Sequence, residues 1–234
     1  MAHFVLIHGS SHGAWCWSRL VPRLEAMGHQ VTAVDLPSHG ADPTPPRNVT
    51  IEDYTARCLE ALGRDTILVG HSLGGLTITM AAARAQDRVR ALVYLCAWVP
   101  PPGVPFAEIR ADAIAPEVSS AVTVDRARGV SAPIVGKSAA VFYHDCSDED
   151  VAFALPRLSP QPVSVLSEPL DFDPPDVPRH YIRCLDDRVI KPEYQRRISA
   201  DWPEDHVHEM DCGHSPFFSD PDDLARILDR IAAS

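Results

Sequence analysis

A chain of 234 residues, 45% apolar and 23% charged, can bury one sizeable core and is short for two full domains. A formal charge of -11 without a clustered Lys/Arg surface argues against nucleic acid as a partner, because phosphate neutralisation needs that cluster. No run approaches the roughly 18 apolar residues of a membrane span, so a membrane partner is not expected.

Met1-Ala2-His3 passes directly into an apolar run with no basic leader ahead of it, which disfavours export. Cys16, Cys58, Cys96, Cys146, Cys184 and Cys212 are scattered singly, without CxxC. Reduced thiols in a cytoplasmic protein are expected, with neither a disulfide framework nor a metal site. A homodimer is a possible assembly.

Phe4-Val5-Leu6-Ile7 is a continuous apolar run suited to a strand buried on both faces, and it stops at the loop His8-Gly9-Ser10-Ser11-His12-Gly13. A helix is predicted from Trp15 to Met27, with Gly28 just past its end. Val31 to Val34 reads as the next strand, and the Pro-rich stretch Asp42 to Asn48 as a loop. Thr50 with Asp53 three positions on predicts a capped helix to Leu62. Thr66 to Val69 is a third strand, Leu76 to Ala85 an Ala-rich helix and Val89 to Leu95 a fourth strand. Strands alternating with helices at this spacing predict an α/β fold, a mostly parallel sheet with helices on both faces.

The pattern changes at Pro100. Thirteen of the 22 prolines lie between Pro100 and Pro178, and the apolar periodicity weakens. This stretch, 100–178, is expected to be a small inserted cap of short helices and turns. Ala139 to Tyr143 and Val151 to Leu155 are apolar pieces that argue for order. The core, 1–99 and 179–234, resumes with a strand over His180 to Cys184. A helix from Glu193 to Ser199, a strand from Val207 to Met210 and a helix from Pro221 to Ile231, capped by Asp220, complete it.

Gly70-His71-Ser72-Leu73-Gly74 fits G-x-S-x-G between a strand and a helix. A nucleophile on so sharp a turn needs small neighbours, and the helix behind it directs its N-terminal N–H groups at developing charge. A serine hydroxyl also needs a base. In folds of this kind the histidine comes last, and His214 follows the final strand. His206 and His208, one face of that strand by alternation, are read as ordinary strand histidines rather than metal ligands. The acid belongs after the penultimate strand, where Asp186 and Asp187 both stand. For the oxyanion, Leu73 offers one N–H and the loop after the first strand offers Ser10. His8 and His12 are expected to brace that loop.

These segments resemble the plant methyl esterase and hydroxynitrile lyase group of α/β-hydrolases, with its bacterial esterase relatives. The likeness is carried by Phe4 to Trp17, by Gly70-His71-Ser72-Leu73-Gly74-Gly75 and by Cys184 to Gln195, and it fades in the cap. It implies an α/β-hydrolase fold, assigns the acid to Asp187, and counts Gly9 among the substrate-binding positions. Lyases of the rubber-tree type carry Thr where Gly9 stands and Lys where Ser215 stands, so the resemblance implies an esterase. Small, fairly apolar esters would be cleaved through an acyl-enzyme, without a cofactor. Trp98, Phe106, Phe142 and Phe153 are candidate pocket walls. The competing expectations are a hydroxynitrile lyase, a lactonase or amidase with the same triad, and a non-catalytic receptor.

Overall fold

The structure, a computed structural model, describes residues 1–167 and 169–234. Phe4 to Ile7 are completely buried, and a strand covered on both faces belongs in the middle of a parallel sheet. Accordingly β1 (His3–Ile7) pairs in parallel with β2 (Gln30–Val34) on one side and β3 (Thr66–His71) on the other. Beyond β3 lies β4 (Val89–Leu95). Between Val99 and Pro178 the chain adds no strand to this sheet among the described residues. It forms instead an antiparallel sheet of β5 (Val122–Asp125), β6 (Val130–Pro133) and β7 (Gln161–Pro162). It then returns as β8 (Arg179–Cys184) and β9 (Val207–Met210), giving the order β2-β1-β3-β4-β8-β9, parallel throughout.

Helices cover both faces. The predicted helix over 15–27 is divided: a 3-10 turn spans Ala14–Arg19, and α1 (Val21–Ala26) begins afresh. Pro22 is the reason, since a residue without an N–H fits the first turn of a helix and not its interior. In α2 (Ile51–Ala61) the Thr50 side chain accepts from the Asp53 N–H while the Asp53 carboxylate accepts from the Thr50 N–H, closing the predicted box. It packs beside α3 (Gly74–Arg84).

The segment between β4 and β8 holds α4 (Phe106–Ala113), α5 (Val118–Ala121), α6 (Ala139–Phe142) and α7 (Asp148–Ala154). The short helices match expectation. The three-stranded sheet does not appear in the sequence reading, because its strands are too short for a period of two to show among the prolines. The last helices are α8 (Pro192–Ile198), α9 (Pro216–Ser219) and α10 (Pro221–Ala233). Asp220 caps α10 by accepting from the Asp223 N–H, and α10 buries Leu224, Ile227, Leu228 and Ile231, one face at helical spacing, beside α1. His206 lies in a 3-10 turn just ahead of β9 rather than within the strand.

Candidate active site

The sheet order decides where a site can form. From β1 the chain steps to β2 on one side and later to β3 on the other, so the loops after β1 and β3 part company and leave a crevice. The register brings the remaining loops to the same edge: Ile7 lies opposite Gly70, His71 opposite Leu95, Leu95 opposite Ile182, and Cys184 opposite Met210. Residues just beyond these strand ends therefore meet although far apart along the chain.

Ser72 sits at φ +51°, a left-handed conformation that costs a non-glycine residue about 1–3 kcal/mol and survives only where the surroundings impose it. Here they do. Its N–H donates to the Leu95 carbonyl, and its own carbonyl accepts from the Gly75 and Trp98 N–H groups. A Cβ on Gly74 would lie 2.7 Å from the Ile7 carbonyl oxygen, and one on Gly9 would lie 2.8 Å from the Ser72 Cβ. The pairing of β1 with β3 is thus so close that two glycines are required, and the second keeps the His8-Gly9-Ser10 loop against Ser72.

His214 Nδ1 lies 2.9 Å from Asp187 Oδ2, and both residues are buried. The carboxylate is saturated with donors. Oδ1 accepts from the N–H groups of Val189 at 2.7 Å and Ile190 at 3.0 Å, and Oδ2 also accepts from Gln195 Nε2 at 2.9 Å. Fixed so, Asp187 presents an acceptor and His214 takes the tautomer with hydrogen on Nδ1, leaving Nε2 basic. Asp186 points outward, 2.9 Å from His144 and 3.9 Å from Arg188. Of the two carboxylates, the structure brings Asp187 to the imidazole.

Sequence reasoning gave Gln195 and His71 no role. Gln195, fully buried on α8, donates to Asp187 Oδ2 and to the Ile190 carbonyl and accepts from the Cys184 N–H. Its signal was a polar residue on the inner face of a short helix just after Asp187. His71 donates from Nε2 to the His214 carbonyl at 2.8 Å, and the Cys96 thiol donates to the same oxygen at 3.6 Å. Burial, followed by the nearby His214 and His12, holds His71 well below the ordinary imidazole pKa. Imidazole and thiol atoms of His71, Cys96 and His214 lie within 4.8 Å of one another, a spacing that could hold a metal ion. Each makes a hydrogen bond elsewhere, His71 and Cys96 to the His214 carbonyl and His214 to Asp187, and burial pushes the Cys96 thiol up to about 12.

The loop after β1 is braced as expected. His8 donates from Nδ1 to the Gly9 carbonyl and accepts the Leu36 N–H on Nε2. His12 donates from Nδ1 to the Ser10 carbonyl and accepts the Tyr143 hydroxyl at 2.7 Å. Burial lowers His12 to about 4, so it is neutral, as this pattern requires. Among the described residues neither the Ser10 N–H nor the Leu73 N–H has a protein acceptor.

Trp98 and Phe106 pack against each other with ring centres 4.7 Å apart. Phe142 packs on His12, and Phe153 on Trp15 and Phe218. A cleft of about 650 Å³ reaches Asp187; Ala115, Val141, Lys137 and Arg188 help line it, and these four aromatic residues do not. His180, in β8, stacks on His208 and lies tilted against His206.

The family model for the alpha/beta hydrolase family matches residues 4–227. The chain belongs to that family. Methylesterase 7 of Arabidopsis thaliana is 34% identical to this hydrolase, over 98% of this chain and 95% of its own. The crystal structure of a pyrethroid hydrolase from Sphingobium faniae superposes on it with a TM-score of 0.86 at 27% identity, covering 100% of this chain and 98% of the other. The Arabidopsis methylesterase MES16 gives 0.84 at 29% identity, covering 100% and 99%. Among the described residues of this hydrolase no helix is long and apolar enough to cross a membrane.

Proposed function

We propose that this hydrolase cleaves small, fairly apolar carboxylic esters, with Ser72 as nucleophile, His214 as base and Asp187 as the acid that orients it. The observation that carries this reading is the buried Nδ1–carboxylate pair of His214 and Asp187, on loops leaving the same sheet edge as the strained turn of Ser72. His214 Nε2 takes the Ser72 proton as the hydroxyl oxygen attacks the ester carbonyl. The unpaired N–H groups of Leu73 and Ser10 receive the oxyanion, each donor contributing about 3 kcal/mol to such a transition state. The alcohol leaves with the proton from His214, and water then releases the acid from Ser72 by the same route.

The residues between β4 and β8 act as a cap that excludes water and selects substrate, with Trp98, Phe106 and Phe142 shaping its inner side. The names of the relatives, two methylesterases and a pyrethroid hydrolase, support an ester rather than an amide. Ser215, neutral and fully buried beside His214, offers no cation to a departing cyanide, which supports hydrolysis over lyase chemistry. Six unpaired cysteines agree with a cytoplasmic setting. The test is labelling with a fluorophosphonate followed by peptide mapping, alongside p-nitrophenyl butyrate turnover. Modification should fall on Ser72, and Ser72→Ala should abolish turnover while remaining folded; an S72A protein with wild-type turnover would remove the reading.

A further inference from the structure

Four consecutive cap residues, Tyr143 to Cys146, each reach a different point on the loops at the sheet edge. The Tyr143 hydroxyl donates to His12, which in turn holds the Ser10 carbonyl. His144 Nε2 is 2.9 Å from Asp186, next to the acid. Asp145 Oδ2 accepts the Gly213 N–H at 2.6 Å, and the Cys146 thiol leans on the Ser215 carbonyl at 4.0 Å. Gly213 and Ser215 flank His214. The loop bearing the imidazole is thus gripped from two sides. The core holds the His214 carbonyl through His71 and Cys96, and the cap holds the residues before and after it.

The approach on the cap side is close. A Cβ on Gly213 would lie 2.4 Å from His144 Cε1 and 2.7 Å from Asp145 Oδ1. A side chain there would have to displace the His144 ring and the Asp145 carboxylate. Asp145 is the only acceptor of the Gly213 N–H among the described residues, and a carboxylate at this distance makes a directional, charge-assisted bond. Asp145 is exposed, so solvent screens its charge and it adds little to global stability. Its leverage is geometric: it sets the path of the backbone one residue before the base.

We propose that Asp145 is a positioning residue for His214, through which the cap helps to align the base. This rests on His214 being the base. Removing the carboxylate frees the Gly213 N–H to turn toward water and lets the loop relax on one side, while the Asp187 and His71 contacts persist. The expected loss is therefore partial, below the roughly 100-fold that a full ångström of misplacement can cost.

The experiment compares Asp145→Ala, Asp145→Asn, Asp145→Glu, His214→Ala and the exposed cap control Asp148→Ala on p-nitrophenyl butyrate, with kcat and KM separated and thermal midpoints recorded. D145A should lower kcat about tenfold with KM within about twofold, and D145N, whose amide oxygen can still accept the N–H, should recover most of it. D148A should match the parent. A D145A protein with unchanged kcat, whatever its KM, overturns the inference, as does an equal loss in D145A and D145N. Should D145A not fold, D145E decides, since it keeps the charge and moves the carboxylate by one methylene: a severalfold lower kcat upholds the inference and a parental kcat overturns it. An active H214A would remove the catalytic reading itself, and with it this inference. That result differs from an inactive H214A beside an unimpaired D145A, which defeats the Asp145 inference alone.

Discussion

The two regions that meet at the edge of the sheet hold the same loops by different means. On the core side the bonds are buried and redundant: Asp187 takes four donors, and the Ser72 backbone makes three hydrogen bonds. On the cap side backbone bonds join Ala115 to Val189, Ala113 to Lys191 and Ser159 to Ser11, but the contacts of Tyr143 to Cys146 are single side-chain contacts, and partners such as Asp186 are exposed. Buried, fully satisfied networks are rigid, whereas exposed pairs are worth about 0–1 kcal/mol and form and break readily. The core side is therefore the more heavily bonded of the two, although cap residues such as Val141, Phe142 and Tyr143 share its buried apolar cluster.

Substitutions graded from core to cap would sharpen or break this contrast. The largest effect should come from Asp187→Asn, which keeps the shape but donates where His214 must donate; kcat/KM on an aryl ester should fall about 10⁴-fold. Asp186→Asn should cost less than about threefold in the same assay, and the opposite ranking would contradict the geometry. Gln195→Leu comes next. It leaves Asp187 Oδ2 with His214 as its one donor and strands the Cys184 N–H and the Ile190 carbonyl, so kcat should drop by up to about 100-fold and stability by about 1–3 kcal/mol per stranded group in urea titration.

Smaller effects belong to the cap side. Tyr143→Phe leaves the buried Nε2 of His12 without its donor, at a cost of about 1–3 kcal/mol measurable by urea unfolding. A change below about 0.3 kcal/mol would show that the contact is dispensable. The same histidine makes stability depend on pH. His12 titrates near 4 when folded because burial penalises its charge, and near about 6.5 when unfolded. Between those values the unfolded chain binds the extra proton. Stability is thus complete above about pH 6.5 and declines as pH falls toward 4, by at most about 3 kcal/mol from this residue. His12→Gln should flatten the fall in thermal midpoint between pH 6.5 and 4.5; an unchanged slope would assign the effect to His8 and His71, which burial also lowers.

Legibility followed the same divide. The strand Phe4 to Ile7 was readable because full burial demands an uninterrupted apolar run, and Thr50 and Asp220 because caps are chemically distinctive. Gly70 to Gly74 was readable because close packing permits so few residues there. The division of the predicted helix over 15–27 was missed, although Pro22 marked it. The hairpin of β5 and β6 went unseen for want of length. Asp145 gave no signal, being one acidic residue among several in Asp145-Cys146-Ser147-Asp148-Glu149-Asp150.

From its sequence alone this chain is an α/β protein with a strand–serine–helix turn and a histidine after the last strand, because burial periodicity and glycine sterics are local and leave their mark in residue order. Which carboxylate meets His214, that Gln195 and His71 brace the pair, and that Tyr143 to Cys146 grip three loops at once were settled only by the tertiary structure. Those contacts join residues 27, 143 and 131 positions apart, or pass through one side chain to another. They depend on strand order and register, which no local run of residues encodes.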